Sequence, residues 1–512
     1  MYTNLILLVS FVAQIWAAPN KQNDGMHPHL PVNPIGSLKV DPAEDTSAYW
    51  NENAQKTVQE IISRQLNENV AKNVILFLGD GMSIPTIAAA RVYNGGEEIQ
   101  LAFDKFPYMA LSMTYSVDKQ VPDSATTATA YLGGVKANYG TIGVGPEVPR
   151  EDCLGMLNVS NHVLSIGYYS QLQNKRTGLV TTARVTHASP AGVYAHTAER
   201  DWEADSDVLD SFKDPTVCTD IATQLVYGET GKNLNVIFGG GRNRLLPEEI
   251  EDEEGHDGKR VDGVNLIEKW LEQADDRQYI WNRDQLLALD TSNVSSILGL
   301  FAHAHMDYNL DRDTTMDPSL AEMTKAAIEI LSTGDNGYFL FVEGARIDMA
   351  HHDAEARVAL DETIEFSKAV QAAVDLTDEA DTLIIVTADH AHTLSYSGYA
   401  SRGNDILEFG GNGIDGRVYT TINYANGPGY KMSDADGSRH DISEDDYGDD
   451  HYAFPSVAPL DSETHGGDDV AVYARGPWAH LFTGNLEQNV IPHLMSYASC
   501  VGTGYTACDA AN

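Results

Sequence analysis

The chain has 512 residues, 42% hydrophobic and 21% charged, enough apolar material for one large domain or two. Its 75 acids against 33 bases leave a net charge of −42, which argues against nucleic acid and anionic membrane surfaces as partners. An anionic substrate would therefore need a local positive centre, such as bound cations.

Residues 1–18 read as a secretory signal peptide, in which an apolar run at 5–16 precedes Ala17-Ala18-Pro19. The run is too short to span a bilayer, and no later segment is long and apolar enough. No hydrophobic tail precedes Asn512, so a soluble secreted or luminal protein without a membrane anchor is expected. Export suits the four cysteines Cys153, Cys218, Cys500 and Cys508, whose even number predicts two disulfides. Cys500 with Cys508 would close a tight terminal loop, leaving Cys153 for Cys218. Asn158 and Asn293 each begin an Asn-Val-Ser sequon and are glycosylation candidates.

The segment 19–45 is rich in Pro, Asn and Asp and is expected to be flexible. Residues 47–70 then carry helical spacing. Apolar, strand-like runs follow at 74–78, 179–182, 236–238, 339–342, 382–387 and 470–474. Helix-like stretches such as 318–331 and 354–376 lie between them. This alternation predicts an α/β fold with a central, mostly parallel sheet covered by helices on both faces. The acidic run 248–257 reads as a solvated loop. Residues 398–462 are rich in Gly, Asp, Tyr and Ser. They read as an insertion, a small crown-like subdomain within a catalytic domain spanning 46–512.

Chemistry gathers where the apolar runs stop. Asp80 follows the first, His187 and Ser189 the second, Glu343, Asp348 and His352 the fourth, and Asp389, His390 and His392 the fifth. His465 lies just before the last. Parallel strands deliver such residues to the carboxyl edge of a sheet. Asp348 and His352 are four apart and would share one helical face. Asp123-Ser124 reads as a helix start, which places a hydroxyl at a positive helix end. With Arg200, this inventory suffices for two zinc ions and a harder cation. Two metals about 4 Å apart clamp the attacking and leaving oxygens of an in-line displacement. A bidentate cation grips the remaining phosphoryl oxygens.

The same strings carry a family resemblance. They are Lys72-Asn73-Val74-Ile75 through Gly79-Asp80-Gly81-Met82-Ser83, Asp123-Ser124 through Tyr131-Leu132, and His187-Ala188-Ser189-Pro190. They continue with Val342-Glu343-Gly344-Ala345-Arg346-Ile347-Asp348, Thr387-Ala388-Asp389-His390 and Glu463-Thr464-His465. From about residue 48 to 509 the chain resembles the metazoan alkaline phosphatases. The resemblance implies broad-range hydrolysis of phosphate monoesters through a phosphoserine on Ser124, with Arg200 gripping the phosphate. It implies one zinc on Asp348, His352 and His465, a second on Asp80, Asp389 and His390, and magnesium on Asp80, Ser189 and Glu343. Asp123, His187 and His392 would stand behind these ligands, His187 holding a water on the magnesium. The resemblance also implies a homodimer and the pairings Cys153–Cys218 and Cys500–Cys508.

Two features depart from the family pattern. Met349 stands where vertebrate relatives carry a histidine, so rate or pH profile is expected to differ. The calcium site of many animal relatives would draw on Glu248 or Glu249, the Phe301 carbonyl and Asp317. Ala302 replaces an expected Glu there, so calcium is expected to be absent or weak. Other readings fare worse. A sulfatase needs a Cys/Ser-x-Pro-x-Arg nucleophile, whereas Ala125-Thr126-Thr127 follows Ser124. A non-catalytic metal-binding glycoprotein would have lost a ligand or the nucleophile, and none is missing.

Overall fold

Val74, Leu76 and Leu78 join one apolar cluster and Ile75 and Phe77 another, and all five are buried. A strand alternates its side chains, so both of its faces must be covered. The strand is β1 (Asn73–Gly79), at the middle of a ten-stranded sheet in a computed structural model that describes residues 42–510. The expected signal peptide and most of the 19–45 segment lie outside the described residues.

The other strands are β2 (Tyr108–Met113), β3 (Arg176–Arg184), β4 (Val236–Gly240), β5 (Arg277–Ile280), β6 (Ser296–Leu300), β7 (Tyr338–Gly344), β8 (Thr382–Thr387), β9 (Val470–Arg475) and β10 (Gly484–Glu487). Their order is β10-β2-β9-β8-β1-β7-β3-β4-β6-β5. Only β9 runs antiparallel to its neighbours, β2 and β8. The helices Leu320–Leu331 and Ala356–Leu376 cover one face, where Phe366 meets Phe77 edge-on at 5.9 Å. The helices Ser124–Gly133 and Ile491–Ser499 cover the other. Burying a side chain such as Phe77 contributes about 1.5–3 kcal/mol. The α/β expectation holds. The strands β2, β5, β6 and β10 were not anticipated.

The parallel order has one consequence for chemistry. β8, β1, β7 and β3 are neighbours, so the residues at their carboxyl ends share one edge.

The segment 398–462 contains a hairpin of Phe409–Asn412 with Val418–Thr420. Its strand Ile422–Gly427 lies between Leu394–Tyr396 and Ser456–Pro459 in a second small sheet. That sheet therefore begins before the expected insertion. His451 ties the segment to the main body, Nδ1 at 2.8 Å from Glu355 and Nε2 at 3.2 Å from Asp311. Those two carboxylates, Glu355 first, raise its pKa to about 9 and keep it charged at neutral pH.

The N-terminal helix spans Ser47–Ser63 and stops short of residue 70, where Arg64 turns extended and donates to the Pro107 carbonyl. The acidic run also differs from its reading. The fully buried Arg242 guanidinium donates through Nε to Asp252 at 2.9 Å and also pairs with Glu254. The loop wraps a cation instead of facing only water, because a buried charge needs partners. Both disulfides form as expected, with Cα–Cα distances of 5.2 Å for Cys153–Cys218 and 5.8 Å for Cys500–Cys508.

Candidate active site

Three histidines fix their own tautomers by what their Nδ1 atoms meet. His352 Nδ1 lies 2.6 Å from the Glu463 carbonyl, His465 Nδ1 2.8 Å from the Pro122 carbonyl, and His390 Nδ1 3.3 Å from the Ala391 carbonyl. A carbonyl only accepts, so Nδ1 carries the hydrogen and each Nε2 keeps its lone pair. These lone pairs converge. His352 Nε2 and His465 Nε2 are 3.1 Å apart, and Asp348 lies 3.4 Å from each. Lone pairs this close repel unless a cation lies between them, and backbone-anchored imidazoles are the usual support of a metal site.

Asp348 and His352 stand on the short helix Arg346–His352, which follows β7 directly. Burial opposes ionisation of Asp348, but the hydrogen bond from His392 Nε2 favours the carboxylate and helps to hold the carboxyl below its usual range.

A second group lies alongside. Asp80 follows β1, and Asp389 and His390 follow β8; their ligand atoms lie within 4.8 Å of one another. The rings of His390 and His465 stack with centroids 3.5 Å apart, which joins the two groups. Ser124 Oγ is 3.2 Å from His390 Nε2. Ser124 opens the helix Ser124–Gly133, whose N-cap Asp123 accepts from Thr126 N. The hydroxyl therefore sits at the positive end of a ten-residue helix.

The third set has oxygen donors only. Both carboxylate oxygens of Asp80, Oε1 of Glu343 and Oγ of Ser189 are buried without hydrogen-bond partners. Glu343 spends its other oxygen on Thr181 at 2.5 Å. Burial, then Asp389, Asp348 and Glu343, push the Asp80 pKa well above its usual value. Such crowded, unpaired acids call for a cation, and all-oxygen donors suit a hard one. The residues present fit metal at all three places.

Arg200 Nη1 donates to Asp123 Oδ2 at 3.0 Å, and Nη2 lies 3.4 Å from His187 Nε2. Burial, then Arg200 and Arg184, lower the His187 pKa to about 3, so the ring is neutral. The guanidinium is thereby anchored one residue from Ser124.

His392 has no nitrogen to spare. Its Nε2 lies 2.6 Å from Asp348 Oδ1 and its Nδ1 2.5 Å from Glu463 Oε2. Burial lowers its pKa, but the hydrogen bonds to Asp348 and Glu463 prevail and raise it to about 9. Gly81, at φ +66°, passes so close that a Cβ there would sit 2.4 Å from the His392 ring. Glu463 opens the sequence string that ends on His465, but nothing in that string gives it a role. Met349 lies beside the site with Sδ 3.0 Å from Arg346 Nη1.

The acidic side chains considered for calcium all reach solvent to some degree. Glu248 and Glu249 are exposed, and Asp317 is half-buried, its carbonyl accepting from Arg312. Beside the Leu300 carbonyl, one residue from Phe301, stands the Arg242 guanidinium, donating to it at 2.8 Å.

A family profile described as alkaline phosphatase matches residues 71–501. The chain belongs to the alkaline phosphatase family. It is 44% identical over 505 residues to the membrane-bound alkaline phosphatase of Bombyx mori, covering 95% of this chain and 92% of that one. It is 45% identical over 482 residues to the tissue-nonspecific alkaline phosphatase of Homo sapiens, covering 91% of each. The alkaline phosphatase structure from Thermus thermophilus shares its fold, with a TM-score of 0.63 at 21% identity over 88% of this chain and 96% of that one. The phosphatase is thus a phosphomonoester hydrolase of a metal-dependent family. No helix among its described residues is long and apolar enough to cross a membrane.

Proposed function

We propose that this alkaline phosphatase hydrolyses a broad range of phosphate monoesters by two in-line displacements through a phosphoserine on Ser124. The observation that carries the reading is the Ser124 hydroxyl at a helix N-terminus, 3.2 Å from His390 and beside the anchored Arg200. Asp348, His352 and His465 would hold one zinc, and Asp80, Asp389 and His390 another. Asp80, Ser189 and Glu343 would hold magnesium. Imidazole-containing sets suit zinc, and an all-oxygen set suits magnesium. When bound, such cations make an alcohol or water more acidic and offset charge on phosphoryl oxygens.

In the first displacement Ser124 Oγ bonds to phosphorus, the ester P–O bond breaks and the alcohol leaves. In the second, water bonds to phosphorus, the Oγ–P bond breaks and inorganic phosphate departs. Arg200 presents its planar fork to the non-bridging oxygens in both steps, and Asp123 and neutral His187 keep it aimed. These groups all address the phosphate and none reads the alcohol, which supports broad specificity.

Arg200→Ala should raise the inhibition constant for inorganic phosphate about 10- to 100-fold, the worth of a charged bidentate contact, with a smaller loss in kcat. An unchanged constant would remove Arg200 from this role.

The enzyme is also proposed to be a homodimer exported from the cytosol. Disulfides suit an oxidising compartment, and Asn158 and Asn293 are exposed and open to glycosylation. The 17-residue helix Ser47–Ser63 has no buried residue, and Ile61 and Ile62 are 51% and 77% exposed. An isolated helix of this length is marginal in water, and a second copy would cover it. Sedimentation should give twice the chain mass; a monomer at micromolar concentration refutes the dimer.

A further inference from the structure

Glu463 is 1% exposed and touches His352 of the first cation group and His392 behind it. Its Oε2 lies 2.5 Å from His392 Nδ1, and His392 in turn reaches Asp348. Its Oε1 accepts from the Thr393 amide at 2.7 Å and from the Thr393 hydroxyl. Its carbonyl accepts from His352 Nδ1, and its amide donates to the His352 carbonyl at 2.8 Å. One residue thus sets the ring of His352 and, through His392, the carboxylate of Asp348.

The inserted segment leans on the same residue. Asn426 Oδ1 accepts from the Thr464 amide at 2.9 Å, and Asn426 Nδ2 donates to Thr464 Oγ1 at 3.0 Å. The Ala425 amide donates to Thr393 Oγ1 at 3.2 Å. Gly427, at φ +127°, comes so near that a Cβ there would lie 2.9 Å from Glu463 Cβ. One residue along from Ala425, Tyr424 places its hydroxyl 2.9 Å from Nδ1 of His351, the neighbour of His352.

We propose that Glu463 is a positioning residue that holds the first cation group in its ligating geometry and couples it to the strand Ile422–Gly427 of the insertion. It touches no reacting atom. Without its carboxylate, His392 Nδ1 is left as a buried donor facing nothing, and the ring is free to turn away from Asp348. Groups that orient metal ligands from behind typically change metal affinity about 10- to 100-fold when removed. The proposal rests on the assignment of Asp348, His352 and His465 to zinc.

The test is equilibrium dialysis of holoenzyme against zinc buffered by a competing chelator, read by elemental analysis. Glu463→Ala should bind zinc at one site about 10- to 100-fold more weakly while the other site is unchanged. Saturating zinc should restore kcat to within a few-fold, since no reacting group is lost. Asn426→Ala, further back on the insertion strand, should show a smaller loss at the same site. Glu463→Gln preserves the shape and serves if the alanine variant does not fold. Wild-type zinc affinity in the Glu463 variants, even with a lower Tm, makes the residue merely structural and overturns the proposal. Wild-type affinity in Asn426→Ala overturns the coupling to the insertion. A wild-type enzyme that retains no zinc refutes the zinc assignment itself.

Discussion

Ser124→Ala is expected to lower kcat for a simple aryl phosphate by about 10⁴-fold or more while leaving cation content unchanged. The magnitude follows from removing the atom proposed to accept the phosphoryl group, as in other enzymes stripped of a nucleophile. The fold should survive. The helix is capped by Asp123, which accepts from the Thr126 amide and the Gly140 amide at 3.0 Å, and neither bond uses the Ser124 hydroxyl. The proposed ligands Asp80, Asp389 and His390 are untouched. Elemental analysis should therefore give wild-type metal content in an inactive protein. Full turnover in the variant would show that the phosphoryl group never passes through Ser124.

Removing the cations should abolish activity as completely and should also destabilise the protein. Asp80, Glu343, Asp348 and Asp389 are each 5% exposed or less and crowd one edge of the sheet. Like charges at such distances in a desolvated site repel strongly, and Asp80 shows it by its raised pKa. Cations present at about 1,000 times their dissociation constant would stabilise the folded state by about 4 kcal/mol per site. Chelation should therefore lower Tm and eliminate turnover, and zinc with magnesium should restore both. Turnover by protein shown to be metal-free would contradict the metal reading.

The parallel centre of the fold was legible because β1, β7 and β8 are buried on both faces. Such strands appear as unbroken apolar runs that stop at a polar residue. The strands that escaped notice lack that signature. β2 is half-exposed in alternation, β5 opens on Arg277, and β6 is only five residues long with Gly299 next to its end. Each candidate ligand was legible as a polar residue at a strand end. Their convergence was legible in outline, from the shared carboxyl edge expected of a parallel sheet, but which of them meet depends on β8, β1, β7 and β3 being neighbours, a matter of topology that no local pattern encodes. Individual roles came from the family resemblance.

Glu463 shows where local reading stops. It meets His392 across 71 positions of chain, and nothing near it in sequence marks that contact. Arg242 makes the opposite point. It stands ten residues before Asp252, close enough to have been weighed against the acidic run, yet charge patterning alone cannot tell a solvated loop from one folded around a guanidinium.

The most direct measurement is diffraction from crystals of the zinc-loaded enzyme on both sides of the zinc absorption edge. The account predicts two anomalous peaks, one among Asp348, His352 and His465 and one among Asp80, Asp389 and His390. Ser124 Oγ should be directed at the second. Zinc bound anywhere else, or a Ser124 hydroxyl turned away from both peaks, would contradict it.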